Sequence, residues 1–265
     1  MDEQALARAL EITRTAIAEA GKELIKHFGQ VEAETKSGID SAAAIVTALD
    51  RQTEQFLARE LGKFDANVGF RGEEFGVQAR GDTTWLVDPI DGTSHFVRGL
   101  PFCTTMVALI EKGQVIMSVI YDFVRQDTYW AIKDQGAYCN DQKIHVSERP
   151  LHQALLSYET NLSQPGNMER YIKLRQTKAN TIHIINCGFE FAMVASGKLD
   201  GRLTKDPYGC DWDYAPGCLL VSEAGGVVCN LGTTTYDYRN HNFLAVNPVI
   251  YKELTTGKNA LFANS

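Results

Sequence analysis

Three β-rich runs near the middle of the chain constrain its fold most. They cover residues 103–111, 114–122 and 127–132, and short polar turns at Lys112-Gly113 and Arg125-Gln126 separate them. Runs joined by turns this short pair with their direct neighbours in opposite directions. The segment therefore predicts an antiparallel meander.

Other periodic patterns precede and follow this meander. Apolar residues at intervals of four and seven predict an amphipathic helix over residues 4–28, and helical spacing recurs over 52–61. We expect a buried strand at 84–87 that ends at Asp88-Pro89, and a short strand pair over 136–143.

The second half alternates between strands and helices. Strands are expected near 154–159, 182–186, 200–204, 226–229 and 243–246, and helices near 166–178, 188–197, 212–224 and 248–256. Such alternation predicts layered α/β structure. We place a boundary at Arg149-Pro150, between an N-terminal lobe of residues 1–150 and a C-terminal lobe of 151–265. Because no Pro- or Ser-rich tract lies there, no flexible linker is expected.

Charge and composition exclude several classes of protein. The 265 residues carry 33 acidic and 26 basic side chains, for a net charge of −7. A surface of this sign repels phosphate backbones, so nucleic-acid binding is not expected as the main task. No apolar run reaches the roughly 18 residues of a membrane helix, and no signal-like segment is seen. The six cysteines form no CxxC pair and the histidines share no zinc spacing, which together favour free thiols and a cytoplasmic location.

Acidic residues next to turn-forming residues are the most informative feature for function. They occur as Glu73-Glu74, as Asp88-Pro89-Ile90-Asp91-Gly92-Thr93 at a strand end, and as Asp211-Trp212-Asp213 at a helix start. Asp88 and Asp91 repel each other unless they are protonated or bridged by a cation. Oxygen ligands of this kind suit hard Mg²⁺ rather than zinc or copper. A helix starting after Gly92 would also offer free amides to a phosphate.

Together these motifs resemble the inositol monophosphatase family of Mg²⁺-dependent, lithium-sensitive phosphatases. The matching segments are Glu73 in Gly-Glu-Glu, Asp88–Thr93, Trp212–Gly217, Lys36, Val46–Asp50, Gly136–Asn140 and Ser222–Gly226. They occur in family order over essentially the whole chain. The resemblance implies an α/β (α+β) fold, layered as an αβαβα sandwich, a homodimer, and hydrolysis of phosphate monoesters.

The resemblance also implies roles for individual residues. Glu73, Asp88 and the Ile90 carbonyl would hold a first Mg²⁺, while Asp88, Asp91 and Asp213 would hold a second. Asp50 with Glu73 would reach a weaker third ion through water, and Thr93 would help Glu73 or Asp50 orient the attacking water. The residues expected to contact the substrate are Asp91, Gly92, Thr93, Gly188, Glu190, Lys205 and Asp213.

Substrate choice is where this chain departs from the family pattern. Inositol-selective members carry Gly-Thr/Ser-Ala-Ala where this chain has Gly188-Phe189-Glu190-Phe191, and a Glu shortly before Trp-Asp that is missing here. The loop over 203–210 is about two residues longer. Asp206 or Glu190 could replace the missing acid, whereas Lys205 would favour a second anionic group on the substrate.

The resulting hypothesis is a Mg²⁺-dependent phosphomonoesterase acting on a small sugar or polyol phosphate, such as inositol 1-phosphate, by metal-activated water. The alternatives are a fructose-1,6-bisphosphatase, a histidinol-phosphatase or a nucleotide 3′-phosphatase of the same superfamily. A weakly active member that serves as a binding protein is a third hypothesis. Retention of all the metal-ligand carboxylates argues against it, because unbridged acids only repel one another.

Overall fold

The structure is a computed structural model that describes residues 1–30, 34–35, 45–78, 80–184, 186–256 and 260–262. The family match at Lys36 lies outside the described residues, and Val46 is described only in its backbone. Within the described ranges the chain has seven α-helices: α1 (Glu3–His27), α2 (Ala48–Leu61), α3 (Thr93–Arg98), α4 (Asn167–Gln176), α5 (Cys187–Ala195), α6 (Asp211–Glu223) and α7 (Pro248–Thr255).

The first half builds a large sheet around the predicted meander. A short antiparallel pair, β1 (Glu34–Thr35) and β2 (Ile45–Val46), precedes it. The sheet strands are β3 (Gly69–Gly72), β4 (Gly76–Gln78), β5 (Thr83–Asp91), β6 (Thr104–Glu111), β7 (Gln114–Asp122), β8 (Asp127–Ile132), β9 (Gly136–Cys139) and β10 (Gln142–Lys143). Their order is β10-β9-β8-β7-β6-β5-β3-β4, with β3 and β5 parallel and the other pairs antiparallel. The meander and the strand pair over 136–143 are confirmed.

The second half builds a smaller mixed sheet. Its strands are β11 (Leu155–Thr160), β12 (Asn180–Ile182), β13 (Gly201–Lys205), β14 (Val227–Asn230) and β15 (Phe243–Val246), in the order β12-β11-β13-β15-β14. The strand predicted near 182–186 lies earlier, because Asn186 caps α5 by accepting a hydrogen bond from the Phe189 amide. A single 3₁₀ turn, Leu151–Gln153, follows the expected lobe boundary.

Helices and sheets stack in five layers. Ile17 and Leu24 of α1, with Leu57 of α2, pack on one face of the large sheet against Trp85 and Val107. The helices α1 and α2 form the first layer and the large sheet forms the second. The apolar residues of α1 recur at helical spacing, so they lie on the one face of the helix that packs on the sheet.

The remaining layers continue from the opposite face of the large sheet. Phe191 of α5 and Leu220 of α6 lie between the two sheets, against Ile120 on one side and Phe243 on the other. Helices α4 and α7 cover the outer face of the small sheet. The expected αβαβα sandwich is therefore confirmed.

Three further features bear on the sequence predictions. The strands of the large sheet all precede residue 144 and those of the small sheet follow residue 154, but α5 and α6 pack on both, so the two-lobe division stays a prediction. All six cysteines are free, four buried and two half-buried, as expected. Among the described helices, none has the length and apolar character needed to span a membrane.

Candidate metal centre

A β-bulge at the end of β5 sets the geometry of the candidate site. Asp88 pairs with Met106 and Asp91 with Thr104, so three steps along β5 match two along β6. In a regular strand, residues three apart point to opposite faces, and one extra residue reverses that relation. The bulge also accommodates Pro89, which has no N–H for the ladder. The predicted strand thus continues past Asp88-Pro89 to Asp91 instead of ending there, and both carboxylates lie in one buried site.

Asp91 is held by the start of α5. The Gly188 amide donates to Asp91 Oδ2 at 2.6 Å, the Cys187 amide to Oδ1 at 3.1 Å, and Thr104 Oγ1 to Oδ2 at 2.8 Å. Asn186 Nδ2 donates to the Asp91 carbonyl at 2.8 Å. A Cβ on Gly188 would lie 2.2 Å from Thr104 Oγ1 and 2.9 Å from Asp91 Oδ2, so only glycine fits here.

Asp50 lies at the start of α2, where it serves two purposes. It forms a capping box with Thr47, whose amide and hydroxyl reach Asp50 Oδ2 at 2.8 and 2.7 Å. Thr93 Oγ1 lies 2.9 Å from Asp50 Oδ1 and 3.0 Å from the Ile90 carbonyl oxygen, and donates to one or the other. Sequence reasoning named Asp50, Ile90 and Thr93, and the structure brings them together.

Asp213 occupies the first turn of α6, as the sequence predicts. Its Oδ2 accepts a hydrogen bond from the Cys210 amide at 2.6 Å, which closes the N-terminal turn of the helix. A Cβ on the neighbouring Gly209 would lie 3.0 Å from the same oxygen, so the preceding loop passes closely over the carboxylate.

Glu73 lies in the turn between β3 and β4, and a residue that sequence reasoning missed supports this turn. The buried Glu54 of α2 accepts hydrogen bonds from the amides of Glu74 and Phe75, each at 2.8 Å. A Cβ on Gly72 would overlap the Glu54 carboxylate. Because Glu54 lies 20 residues away on a different element, no local pattern marks it.

The local electrostatics disfavour the negative charges of these acids unless a proton or a cation neutralises them. Burial first, and then the charges of Glu73, Asp91 and Asp213, raise the pKa of Asp88 well above its usual range. Burial raises the pKa of Asp91 and of Asp50 to about 6 each, and burial with repulsion from Asp91 raises that of Asp213.

An orphaned oxygen supports the same conclusion. Asp88 is 2% exposed, and its Oδ1 is buried with no hydrogen-bond partner among the described residues. A buried carboxylate oxygen without a donor is costly unless an ion binds it. The site therefore fits a hard divalent cation held by carboxylate oxygens.

The N-terminus of α3 lies at the same site. Gly92 precedes this helix with a φ of 83°, a left-handed conformation that favours glycine, and a Cβ there would lie 2.6 Å from Asn186 Nδ2. The predicted helix after Gly92 is therefore present, and it begins directly after Asp91.

A thiol and a buried arginine extend the site beyond the predicted residues. Ligand atoms of Asp91, Cys187 and Asp213 all lie within 4.8 Å of one another. Arg202 is 1% exposed, and its guanidinium pairs with Glu159 at 2.5 Å and with Glu190. Motif spacing gave no signal for Cys187 or Glu159, because α5, β11 and β13 meet only in the folded chain.

Two of the predicted substrate residues have internal partners. Glu190 is 0% exposed: its Oε1 accepts from the Ile184 amide and its Oε2 from Ser157, besides pairing with Arg202. This enclosure argues against direct contact with substrate. Lys205 Nζ pairs with Asp206 Oδ1 at 2.6 Å, and its side chain is a quarter exposed. Its role at the site stays a prediction.

The five-layered fold and its carboxylate-lined cation site define a class of metal-dependent phosphatases. Within that class the chain belongs to the inositol monophosphatase family, whose sequence profile matches residues 5–263.

Named relatives span most of the chain. An inositol-1-monophosphatase of Rhizobium meliloti is 33% identical over 82% of this chain and 83% of its own length. A fructose-1,6-bisphosphatase/inositol-1-monophosphatase of Thermotoga maritima is 30% identical, covering 92% of this chain and 93% of that one. The solved structure of a Thermotoga maritima IMPase superposes with a TM-score of 0.82 at 29% identity, over 92% of this chain and 94% of that one.

Proposed function

We propose that this chain is a Mg²⁺-dependent phosphomonoesterase that hydrolyses a small sugar or polyol phosphate, such as inositol 1-phosphate, by a metal-activated water. The observation that carries the proposal is that Asp91 and Asp213 lie close to Asp88, whose buried Oδ1 has no hydrogen-bond donor among the described residues. Membership of a family of phosphatases supports the reaction class.

The residues that would hold the ions are those predicted by the resemblance. Glu73, Asp88 and the Ile90 carbonyl would hold one ion, Asp88, Asp91 and Asp213 a second, and Asp50 with Glu73 a weaker third. When bound, Mg²⁺ neutralises the phosphate charge, acidifies a water and stabilises the leaving alkoxide.

Thr93 and Asp50 position the water. Because the Thr93 hydroxyl donates its hydrogen bond to Asp50 Oδ1 or to the Ile90 carbonyl, its lone pairs remain able to accept a hydrogen bond from water. Thr47 fixes the other oxygen of Asp50, so this pair is rigid before substrate arrives. Rigid placement of this kind lowers the entropic cost of reaction.

Backbone groups and Asp91 place the substrate. We infer that the phosphate lies against the start of α3, at Gly92 and Thr93, and that the alcohol portion extends toward Asp91, Gly188 and Asp213. Substitution of Gly188 would displace Asp91 or Thr104, which supports a close approach of backbone to the site. If the ion pair between Lys205 and Asp206 broke, Lys205 would be able to contact a second anionic group on the substrate.

Substrate preference has one alternative with specific support. A relative from Thermotoga maritima is named for both fructose-1,6-bisphosphatase and inositol-1-monophosphatase, and this chain carries Lys205 in the segment where the family pattern has an acid. A sugar bisphosphate is therefore the second candidate substrate.

The decisive experiment is a phosphate-release screen with the purified chain, with and without Mg²⁺. The panel contains inositol 1-phosphate, fructose 1,6-bisphosphate, histidinol phosphate and a nucleoside 3′-phosphate. Hydrolysis that requires Mg²⁺ and is fastest with a sugar or polyol phosphate is the expected result. Absence of Mg²⁺-dependent release from every compound would overturn the proposal and favour a binding protein.

We also infer that the chain acts in the cytoplasm as a homodimer, with small phosphorylated molecules rather than nucleic acid or membranes as its partners. Light scattering after size exclusion should give twice the 29.4 kDa chain mass. A monomer mass at all concentrations would contradict the dimer.

A further inference from the structure

Cys187 places a soft ligand among hard ones. It is the first residue of α5, it is 9% exposed, and a ligand atom from it lies within 4.8 Å of oxygens of both Asp91 and Asp213. The motif residues of this centre are oxygen ligands only, whereas the folded chain adds a sulfur.

The spacing suits a single ion. Zinc binds sulfur at about 2.3 Å and carboxylate oxygen at about 2.1 Å, so two ligands of one ion lie at most about 4.4 Å apart. Separations within 4.8 Å need only a small side-chain movement to close on one ion. Within the described ranges, Asp91 Oδ1 accepts one hydrogen bond, from the Cys187 amide, and so keeps a lone pair for a cation.

Burial raises the pKa of the Cys187 thiol well above its usual range, so the thiolate would form only with a bound metal, and the Arg202 guanidinium partly offsets the cost. Arg202 Nη2 donates to Cys187 Sγ at 3.2 Å, and Glu159 holds the same guanidinium nitrogen. The amide-rich N-terminus of α5 adds a partial positive charge. A donor to a coordinated sulfur stabilises its anionic form and fixes its position.

A second observation points to a cation at the same place. The buried Asp88 Oδ1, which lacks a donor among the described residues, belongs to the carboxylate cluster that contains Asp91 and Asp213. The carboxylate cluster therefore presents a buried oxygen that a cation beside Asp91 and Asp213 would bind.

We propose that Asp91, Cys187 and Asp213 form a binding site for a thiophilic divalent cation of the Zn²⁺ class, which competes with Mg²⁺. On binding, a sulfur–metal bond forms, the Cys187 thiol proton passes to solvent, and no electron is transferred. The competition rests on the proposed function, because it assumes that Mg²⁺ uses Asp91 and Asp213. The phosphatase would then be inhibited by such a cation.

Cadmium is the probe for this site, because a cadmium–thiolate bond has an ultraviolet charge-transfer absorption that aspartate ligands do not give. Cd²⁺ titrated into metal-free protein should produce the band in wild type, and Cys187→Ser should lose it. The matched control is Cys218→Ser, another buried free thiol, which should keep it. Cys210→Ser tests the thiol beside Asp213 and should also keep the band.

If Cys187→Ser folds poorly, two further measurements still test the proposed site. Asp213→Asn, in which the thiol is intact, should weaken the Cd²⁺ titration. Excess Mg²⁺ should suppress the wild-type band. An unchanged band in folded Cys187→Ser, or its loss in Cys210→Ser instead, would overturn the proposal.

The outcomes separate this inference from the proposed function. A Cys187-dependent band in a protein with no Mg²⁺-dependent hydrolysis would refute the phosphatase proposal alone. Mg²⁺-dependent hydrolysis with a band that is independent of Cys187 would refute the soft-cation site alone.

Discussion

At the scale of single residues, Asp88 has the most unusual environment in the candidate site. Its almost complete burial, and then the charges of four other acids, raise its pKa, and one of its oxygens has no donor among the described residues. The charge that is unfavourable in the metal-free fold is thus one that a bound cation would stabilise.

We predict that Asp88→Asn abolishes catalysis while preserving the fold. Hydrolysis should fall at least about a hundredfold, more than is typical for loss of an outer partner of a metal ligand. The melting temperature in chelator should rise, because one repelling charge is removed. Near-wild-type hydrolysis at saturating Mg²⁺ would contradict the assignment.

Lys205 is the residue on which the second candidate substrate depends. It is paired with Asp206, so binding of a substrate anion must compete with that contact. Lys205→Ala should raise KM for a doubly anionic substrate by roughly tenfold, about 1.4 kcal/mol, and affect a monophosphate much less.

The control for Lys205 is Lys173→Ala on α4, whose side chain is 55% exposed and pairs with Glu169. It should leave both KM values unchanged. Equal effects of Lys205→Ala on the two substrates, or none on either, would return the choice to inositol-like monophosphates.

At the scale of elements, β3 and α6 are joined next to the site. Arg71 of β3 binds Asp211 of α6 at 2.5 Å, and His241 Nε2 lies 2.7 Å from the other oxygen of Asp211. Each member of the Arg71–Asp211 pair lies two residues before a candidate metal ligand, Glu73 or Asp213. The bridge therefore holds together two elements whose acids repel each other.

We predict that Arg71→Met destabilises the chain by about 1–2 kcal/mol, between the values for exposed and buried ion pairs. It should also weaken Mg²⁺ binding measured by calorimetry, since β3 and α6 would no longer be held at one spacing. The matched control is Arg239→Met, which breaks an exposed pair with Asp237 and should change stability by less than about 0.5 kcal/mol. Unchanged Mg²⁺ affinity in Arg71→Met would show that the Arg71–Asp211 ion pair contributes to stability but not to metal binding.

At the scale of the whole molecule, the site draws on both halves of the chain. Asp50, Asp88 and Asp91 come from the first half, and Asp213 comes from the second, on a helix packed between the two sheets. A cation that binds all of them also joins the two halves, so binding should stabilise the molecule as a unit.

We predict inhibition by Li⁺ that Na⁺ does not reproduce, because the resemblance places lithium at the ion held by Asp88, Asp91 and Asp213. Initial rates in LiCl and NaCl at matched ionic strength provide the measurement, and Asp213→Asn with residual activity should lose the difference. Identical wild-type rates in the two salts would argue against this ion position.

Local patterns in the sequence were enough to predict most elements and the principal acids. Turn residues between the β-rich runs predict the meander, and the four-and-seven spacing predicts α1, since both depend on neighbours within one turn or one hairpin. The Asp88–Thr93 and Trp212-Asp213 motifs are equally local, so their carboxylates could be named before the fold was known.

Tertiary packing decided everything that joins distant segments. The bulge at Pro89 depends on pairing with β6, the support of Glu73 depends on Glu54, and Cys187 approaches Asp213 only when α5 and α6 pack between the sheets. Tertiary packing also buries Glu190 in an ion pair with Arg202, although the sequence analysis had predicted that Glu190 contacts the substrate. Contacts of this kind depend on burial and on strand register, and neither quantity is encoded in the spacing of residues along one segment.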